Sequence, residues 1–250
     1  MTRTIRLIRD GYPDEPGLDT AIGRAMLMRA SDGSHPESFR LHRPGRIVAF
    51  GKRDMLEPGY PAAVRASRAG GYLPIERLAG GRAAVFHEGT LAFSWSIPIE
   101  DPRPAIRTHF AALAELMVAA FARLGVDAAV GETPGEYCPG EWSVHAGGVK
   151  LMGVGQRLAR HATHIGGVVV ARGSASINEI LGPVYAALGI DWRPAATGAL
   201  EDVVPGITPA DAAGAIVAEL ETRARVLDAR IDDATLATAR PLASEHVATT

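Results

Sequence analysis

Hydrophobic and polar positions recur along this chain with periods that predict both strands and helices. "RTIRLIR" alternates like a half-buried strand, and so do the apolar residues of "LAFSWSIPI". The clearest helical stripe runs through "IRTHFAALAELMVAAFARLG" and ends at Gly125. Helices are also predicted for "LDTAIGRAMLMRA", "PAAVRASRAGG", "SINEILGPVYAALG" and "TPADAAGAIVAELETRARVL". Ser176 and Glu179 would form a capping box in the third of these, and Thr208 would cap the last.

Three turn signals suggest how the strands connect. "SFRLHR" and "RIVAFG" are predicted to pair around Pro44-Gly45, and two further strands to turn near Glu88-Gly89. "WSVHA" and "VKLMGVGQR" flank Gly147-Gly148, a strong hairpin signal. This order predicts an α/β (α+β) fold with a mixed, largely antiparallel sheet and flanking helices. We expect one domain over residues 1–240 and a disordered tail over residues 241–250.

Composition narrows the possible classes of protein. The 250 residues are 47% apolar, which is enough to bury a sizeable core. A net charge of −2 argues against a general nucleic-acid binder. No apolar run approaches the roughly 18 residues of a membrane span, and the N-terminus lacks the apolar core of a signal peptide. A lone cysteine fits a reducing compartment, so we expect a cytoplasmic protein whose partners are neither nucleic acid nor membrane.

Two rare residue types draw attention to one segment. Of 26 basic residues only Lys52 and Lys150 are lysines, so each is a candidate for a role that arginine cannot fill. For Lys52, chance retention of a lysine is as good an explanation as a functional role. For Lys150 it is a weaker one, because this residue lies inside an apolar, strand-like run. The only cysteine, Cys138, stands twelve residues earlier in the loop "GEYCPGEW". Loops on rigid scaffolds often carry reactive groups, although an inert buried thiol is the alternative, and spacing alone does not establish contact with Lys150.

A second loop, "ERLAGGRAAVFHEG", could approach a ligand closely. Gly80 and Gly81 leave the backbone unobstructed, and Arg77 and Arg82 flank them with positive charge. The alternative is a β-turn with solvated arginines. The loop fits neither a Walker A motif nor a dinucleotide fingerprint, and no group of residues in the chain has the spacing of metal ligands.

The two segments together resemble motifs of the lipoate–protein ligase, octanoyltransferase and biotin ligase superfamily. "RLAGGRAAVFHEGTLAFS" is similar to the first motif and "GGVKLMGVGQR" to the second, and the resemblance covers roughly residues 3–190. It implies a catalytic core like that of biotin ligases and class II aminoacyl-tRNA synthetases. It also implies that Lys150 contacts the acyl carbonyl or an acyl-adenylate. The substrate-binding residues it implies are Arg77, Gly80, Gly81, Arg82, His87, Gly153 and Gln156.

The loop around Cys138 indicates one branch of that superfamily. "YCPG" is similar to the loop of cysteine-dependent octanoyl and lipoyl transferases, in which the cysteine is the nucleophile. The resemblance thus implies that Cys138 and Lys150 are catalytic, without a cofactor. The acyl donor would be an acyl-carrier or lipoyl-carrier protein. The acceptor would be a lysine of a lipoyl domain, such as glycine cleavage H protein or a 2-oxoacid dehydrogenase E2. His164 does not directly precede a glycine, so no role is predicted for it.

Two other functions stay open at the level of the sequence. An ATP-dependent lipoate–protein ligase would act through lipoyl-AMP with ATP and Mg²⁺, and Cys138 would then be incidental. Leu78, where the family often has a second arginine, and the lack of an evident accessory C-terminal domain weigh against ATP chemistry. A non-catalytic module that binds a lipoyl or other acyl group is the second alternative.

Overall fold

The structure, a computed structural model, describes residues 3–249. Its strands are β1 (Thr4–Ile8), β2 (Ser38–His42), β3 (Ile47–Phe50), β4 (Leu73–Glu76), β5 (Ala84–Phe86), β6 (Thr90–Pro98), β7 (Ala129–Val130), β8 (Val144–Ala146), β9 (Val149–Leu158), β10 (Ala162–Val170) and β11 (Arg225–Ala229). Its helices are α1 (Pro16–Ser31), α2 (Tyr60–Ala69), α3 (Ile106–Ala122), α4 (Ser174–Leu188), α5 (Leu200–Val203), α6 (Pro209–Arg223) and α7 (Asp233–Ala239). Short 3₁₀ helices occupy Asp54–Leu56, Pro194–Ala196 and Arg240–His246.

The strands form two sheets. The large sheet has the order β11-β1-β2-β6-β10-β9-β8-β7, and the small sheet the order β4-β3-β5. In the large sheet β1 runs parallel to both β11 and β2, and every other neighbouring pair is antiparallel. The predicted fold class, a mixed and largely antiparallel sheet with flanking helices, is therefore confirmed.

The two faces of the large sheet differ in the size of their side chains. On one face Phe39, Trp95 and Ile165 belong to a core that also includes apolar residues of α3 and α6. On the other face Arg40 lies opposite Ser94, Ser94 opposite Gly166, and Gly166 opposite Gly155. Directly opposed residues share a face, so these four form one row across β2, β6, β10 and β9. α1 and the small sheet cover this face but cannot fill it, because the row lacks large apolar side chains.

The small sheet is supported from behind by a second apolar core. Val48 and Phe50 of β3 pack with residues of α2 and α4, including Val64 and Ile180. This packing fixes the strand ends from which the "RLAGGR" loop leaves β4 and returns to β5.

The turns predicted at Pro44-Gly45 and Glu88-Gly89 do not join paired strands. β2 lies in the large sheet and β3 in the small one, and β5 and β6 are divided in the same way. Glu88-Gly89 does form a turn, whereas Pro44-Gly45 lies in an irregular segment. Neither signal determines which sheet the next strand joins. The hairpin at Gly147-Gly148 is confirmed as the β8–β9 pair.

The predicted helix caps had mixed outcomes. Thr208 caps α6, since its hydroxyl accepts a hydrogen bond from the backbone N–H of Asp211. The capping box predicted at Ser176 is wrong, because α4 begins two residues earlier, after Gly173. Gly173 adopts a left-handed conformation that a glycine reaches without strain.

The C-terminal residues differ from the disordered tail that composition suggested. Arg240–His246 form a 3₁₀ helix against α1, and Leu242 and Ala243 pack with the apolar residues of α1. Ala248 is buried, and its carbonyl oxygen accepts a hydrogen bond of 2.6 Å from Arg68. The small side chains of this segment, from which composition suggested disorder, are the ones that pack closely here. Thr250 lies outside the described residues. No helix among residues 3–249 has both the length and the apolar character to cross a membrane.

The contact between α1 and residues 243–247 predicts opposite effects for two glycine substitutions. A Cβ on Gly17 would lie 2.7 Å from the carbonyl oxygen of Ala243, whereas a Cβ on Gly214 in α6 would meet nothing within 4 Å. Alanine is favoured over glycine in helices by about 0.5–1 kcal/mol. Gly214→Ala should therefore raise the free energy of unfolding in urea, and Gly17→Ala should lower it. Equal stabilisation by both variants would contradict the close packing of the C-terminal segment.

Candidate active site

Cys138 is held in an unusual backbone conformation in the loop between β7 and β8. Its φ of 42° is the one positive value at a non-glycine position among residues 3–249. Such a conformation is uncommon for residues with a side chain and persists only where the surroundings fix it. The hydroxyl of Tyr185 on α4 accepts a 2.9 Å hydrogen bond from the Cys138 N–H and donates one of 2.9 Å to the carbonyl of Ala83. Lys150 binds the Cys138 carbonyl at 2.7 Å.

The thiol of Cys138 faces two hydrogen-bond donors. Its Sγ lies 3.3 Å from Nη2 of Arg77 and 3.3 Å from the backbone nitrogen of Arg82. Burial raises the pKa of the thiol, but the charges of Arg77 and Lys150 and the two hydrogen bonds outweigh it. The pKa of Cys138 is therefore below the ordinary cysteine value, which favours the nucleophilic thiolate near neutral pH.

The glycine pair of the "RLAGGR" loop has one constrained member. Gly81 has a φ of 102°, and a Cβ there would lie 2.4 Å from Nη2 of Arg77 and 2.9 Å from Sγ of Cys138. A Cβ on Gly80 would meet nothing within 4 Å. Gly81 therefore permits the close approach of the loop to the thiol, whereas Gly80 has open space beside it.

Lys150 lies beside Cys138 but contacts its backbone rather than its thiol. The ammonium donates to Glu136 Oε1 at 2.9 Å, to the carbonyl of Tyr137 at 3.0 Å and to the carbonyl of Cys138 at 2.7 Å. An ammonium group has three protons, so all of its donors are engaged. The side chain is only 1% exposed. Lys150 acts on the thiol through its charge and through the backbone that it holds.

Glu136 is a site residue that the sequence analysis missed. Its buried carboxylate accepts hydrogen bonds from Lys150, from the hydroxyl of Ser143 at 2.6 Å, and from the backbone nitrogens of Thr133 at 2.9 Å and Gly140 at 3.2 Å. The carboxylate thus ties both sides of the loop to the lysine. A carboxylate two residues before the cysteine was visible in the sequence, but nothing there showed that it is buried.

A cavity of about 120 Å³ lies beside Arg77, and Cys138 itself is not among the residues that line it. Arg77 links the thiol to the cavity, since it contacts Sγ of Cys138 and also lines the cavity. The cavity lies between the row of small residues on the large sheet and the cover formed by α1 and the small sheet. Among its lining residues are Leu78, Ala79, Ala49, Phe86, Ala92, Ser94, Gly166, Asp19, Arg40 and His42.

The structure brings Gly153 to the site but leaves two other predicted residues outside it. A Cβ on Gly153 would lie 3.2 Å from Cε of Lys150, so a small residue keeps space for the lysine. Gln156 lies three residues after Gly153 along β9, so its side chain points to the opposite face of the large sheet from Gly153. There it is paired with Ile165 and donates to Thr163 at 2.8 Å. His87 accepts a 3.0 Å hydrogen bond from the Gly89 N–H and is not among the residues that line the cavity.

His164, for which the sequence suggested no role, lines the cavity. Burial, with a smaller contribution from Arg40, lowers the pKa of His164 to about 4, so its ring is neutral at physiological pH. Within residues 3–249 no three or more His, Cys, Asp or Glu side chains are grouped as metal ligands would be.

Comparison with known proteins identifies similar sequences. Residues 17–221 match the family model described as the lipoyl protein ligase A/B catalytic domain. A protein of Geobacillus kaustophilus (strain HTA426) named "Octanoyl-[GcvH]:protein N-octanoyltransferase" is 32% identical over 150 residues, which are 60% of this chain and 51% of that protein. A protein of the same name from Oceanobacillus iheyensis is 25% identical over 156 residues, covering 62% and 56% of the two chains. The chain thus spans about half the length of the curated relatives it matches.

Solved structures share the fold. A lipoate–protein ligase A bound with ATP superposes with a TM-score of 0.79 at 18% identity, covering 96% of this chain and 94% of the other. A bi-partite lipoate protein ligase from Thermoplasma acidophilum gives a TM-score of 0.73 at 17% identity, with coverages of 97% and 93%. At these identities the similarity establishes the fold alone.

The environment of Sγ predicts how alkylation of Cys138 depends on pH. The rate of reaction with iodoacetamide should rise through a midpoint below the ordinary cysteine pKa. Arg77→Met removes the largest stabilising charge and should move that midpoint upward. Arg53→Met, at an exposed position, is the matched control and should leave the midpoint unchanged. An unshifted profile in Arg77→Met would show that Arg77 does not stabilise the thiolate.

The two glycines of the loop should tolerate alanine differently. Gly81→Ala should destabilise the fold by about 1–3 kcal/mol, because its positive φ and the contacts with Arg77 and Cys138 leave no room for a methyl group. It should also slow alkylation of the thiol at pH 7. Gly80→Ala should match the unmodified protein in urea unfolding and in alkylation rate. Similar behaviour of the two variants would contradict the described loop geometry.

Proposed function

Since the chain belongs to the lipoyl protein ligase A/B catalytic domain family, we propose that it transfers an octanoyl group between two proteins through a Cys138 acyl-enzyme. The observation that carries the proposal is the thiol of Cys138 held 3.3 Å from the guanidinium of Arg77, a residue that also lines a cavity whose walls include Ala49, Phe86 and Ala92. The name of the relatives, which gives octanoyl-[GcvH] and a protein as the reactants, supports both the acyl group and the two partners.

In the first step the thiolate of Cys138 attacks the carbonyl carbon of the carrier-bound octanoyl group. The new bond joins sulfur to carbon, the bond between the carbonyl and the carrier breaks, and the departing carrier atom takes up a proton from water. Negative charge develops on the carbonyl oxygen during the attack. Arg77 both contacts Sγ and lines the cavity, so its guanidinium is placed to stabilise that charge.

Lys150 acts in this mechanism as a positioning residue. Its three protons are engaged by Glu136, Tyr137 and Cys138, so it holds the cysteine backbone while its charge lowers the thiol pKa. This role differs from the direct contact with the acyl carbonyl that the family resemblance implies. It leaves Arg77 as the cation in contact with the nucleophile.

In the second step the neutral amine of a lysine on the acceptor attacks the thioester carbonyl. A carbon–nitrogen bond forms, the carbon–sulfur bond breaks, and the amine loses a proton to water, which balances the proton taken up in the first step. The lowered pKa of Cys138 makes its thiolate a good leaving group, stabilised by Arg77 and the Arg82 N–H. We propose a carrier of the GcvH kind as donor and a lipoyl domain as acceptor, with no cofactor in either step.

Intact mass spectrometry tests the acyl-enzyme directly. Incubation with an octanoylated carrier protein, without ATP, should add the mass of one octanoyl group, and hydroxylamine should remove it as expected for a thioester. Cys138→Ala should form no adduct while keeping the melting temperature of the unmodified protein.

Other outcomes would assign the site differently. Absence of the adduct, with lipoyl-AMP formed only when lipoate and MgATP are supplied, would make the protein a ligase. Tight acyl binding with neither adduct nor adenylate would make it a binding module. Persistence of transfer in Cys138→Ala would show that the cysteine is not the nucleophile.

A further inference from the structure

Three ionisable side chains close the cavity at the β2 end, away from Cys138. Arg40 and His42 on β2 and Asp19 on α1 all line it. Arg40 is 1% exposed; it donates to the carbonyl of Asp10 at 2.9 Å, to the carbonyl of Asp19 at 3.1 Å, and to the Asp19 carboxylate. His42 Nε2 lies 3.6 Å from the same carboxylate. We call these three residues the charged end of the cavity.

The strand register gives the distance from the thiol side of the cavity to its charged end. Gly155 on β9, Gly166 on β10, Ser94 on β6 and Arg40 on β2 form one row. Neighbouring strands are about 4.8 Å apart, so β2 lies roughly 14 Å from β9. Ala79, from the loop that contacts the thiol, packs over Gly155, where an added Cβ would come within 2.8 Å of the alanine Cβ. Ala79 thus covers β9 at this point. On the large sheet the residues that line the slot lie on β10, β6 and β2, so it runs from this loop across three strands to the charged end.

An eight-carbon chain fits this length. A carbon–carbon bond of about 1.5 Å at a tetrahedral angle advances an extended chain by about 1.25 Å, so octanoyl spans about 9 Å and dodecanoyl about 14 Å. Atoms in contact stay about 3.5–4 Å apart, so a chain that starts at the loop over β9 has roughly 10 Å before it meets the charged end. An octanoyl methyl group would therefore end near Ala92 on β6. A twelve-carbon chain would meet the charged end.

We propose that Asp19, Arg40 and His42 set the upper limit on the length of the acyl chain that this protein accepts. A longer apolar chain would have to separate a buried ion pair or bury its charges without partners, which is unfavourable in either case. Up to that limit each added methylene should strengthen binding by about fourfold. The inference rests on the proposed function only for the assignment of the cavity to an acyl chain.

Binding of free fatty acids of 6 to 14 carbons, measured by isothermal titration calorimetry, tests the limit without requiring transfer. Affinity should rise to the eight-carbon acid and fall at least tenfold by the twelve-carbon acid. His42→Ala enlarges the charged end and should move the cut-off to longer chains. His35→Ala, at a similarly buried histidine that does not line the cavity, is the matched control and should keep the original cut-off.

A second variant removes the two opposite charges together. Asp19→Ala combined with Arg40→Met leaves no unpaired buried charge of this pair and should also admit the twelve-carbon acid. Equal affinity of the unmodified protein for 8 and 14 carbons, or an unchanged cut-off in both cavity variants, would overturn the proposal. A cut-off that shifts as expected, in a protein that forms no octanoyl adduct, would support the length limit and overturn only the transferase.

Discussion

The buried ion pair between Lys150 and Glu136 is the interaction on which the site depends. Removing two charges from water is costly, and the remaining donors and acceptors must all be satisfied for such a pair to persist. Here the ammonium gives its three protons to three acceptors, and the carboxylate receives four donors. Loss of either partner would leave an uncompensated buried charge, worth about 3–5 kcal/mol. The left-handed backbone of Cys138 is stable because this network surrounds it.

Lys150 and Arg77 have different roles at the site because their charged groups differ in shape. The compact ammonium of Lys150 fits among carbonyl and carboxylate oxygens, which explains one retained lysine in an arginine-rich chain. The guanidinium of Arg77 contacts two groups with one nitrogen, the carbonyl of Arg82 at 2.7 Å and the sulfur of Cys138 at 3.3 Å. The first cation fixes where the thiol is, and the second favours its ionised form. Gly81 allows Arg77 to reach the sulfur of Cys138, because a methyl group at this position would contact both.

Much of this arrangement was predictable from local pattern, and the rest depends on tertiary contacts. Periodicity predicted α3, and the glycine pair predicted the β8–β9 hairpin that carries Lys150. Sheet membership after Pro44-Gly45 and Glu88-Gly89 was not predictable, because a turn leaves the next partner strand undefined. Motif membership placed Gln156 near the site, yet its position on the strand points it to the other face. Glu136 and Tyr185 act through contacts that only the fold creates.

The cavity exists because small residues line the strands beneath it, and its length is limited by energy as well as by shape. Gly166 and Ser94 leave an open floor, whereas Arg40 and Asp19 end it with opposite charges. Each methylene buried in an apolar slot contributes about 0.8 kcal/mol. Disrupting a buried ion pair costs about 3–5 kcal/mol. Four or more additional methylenes would be needed to offset that cost, and they could contribute only after the pair had already separated. A chain that stops short of the pair gains the whole apolar contribution and leaves the charges satisfied.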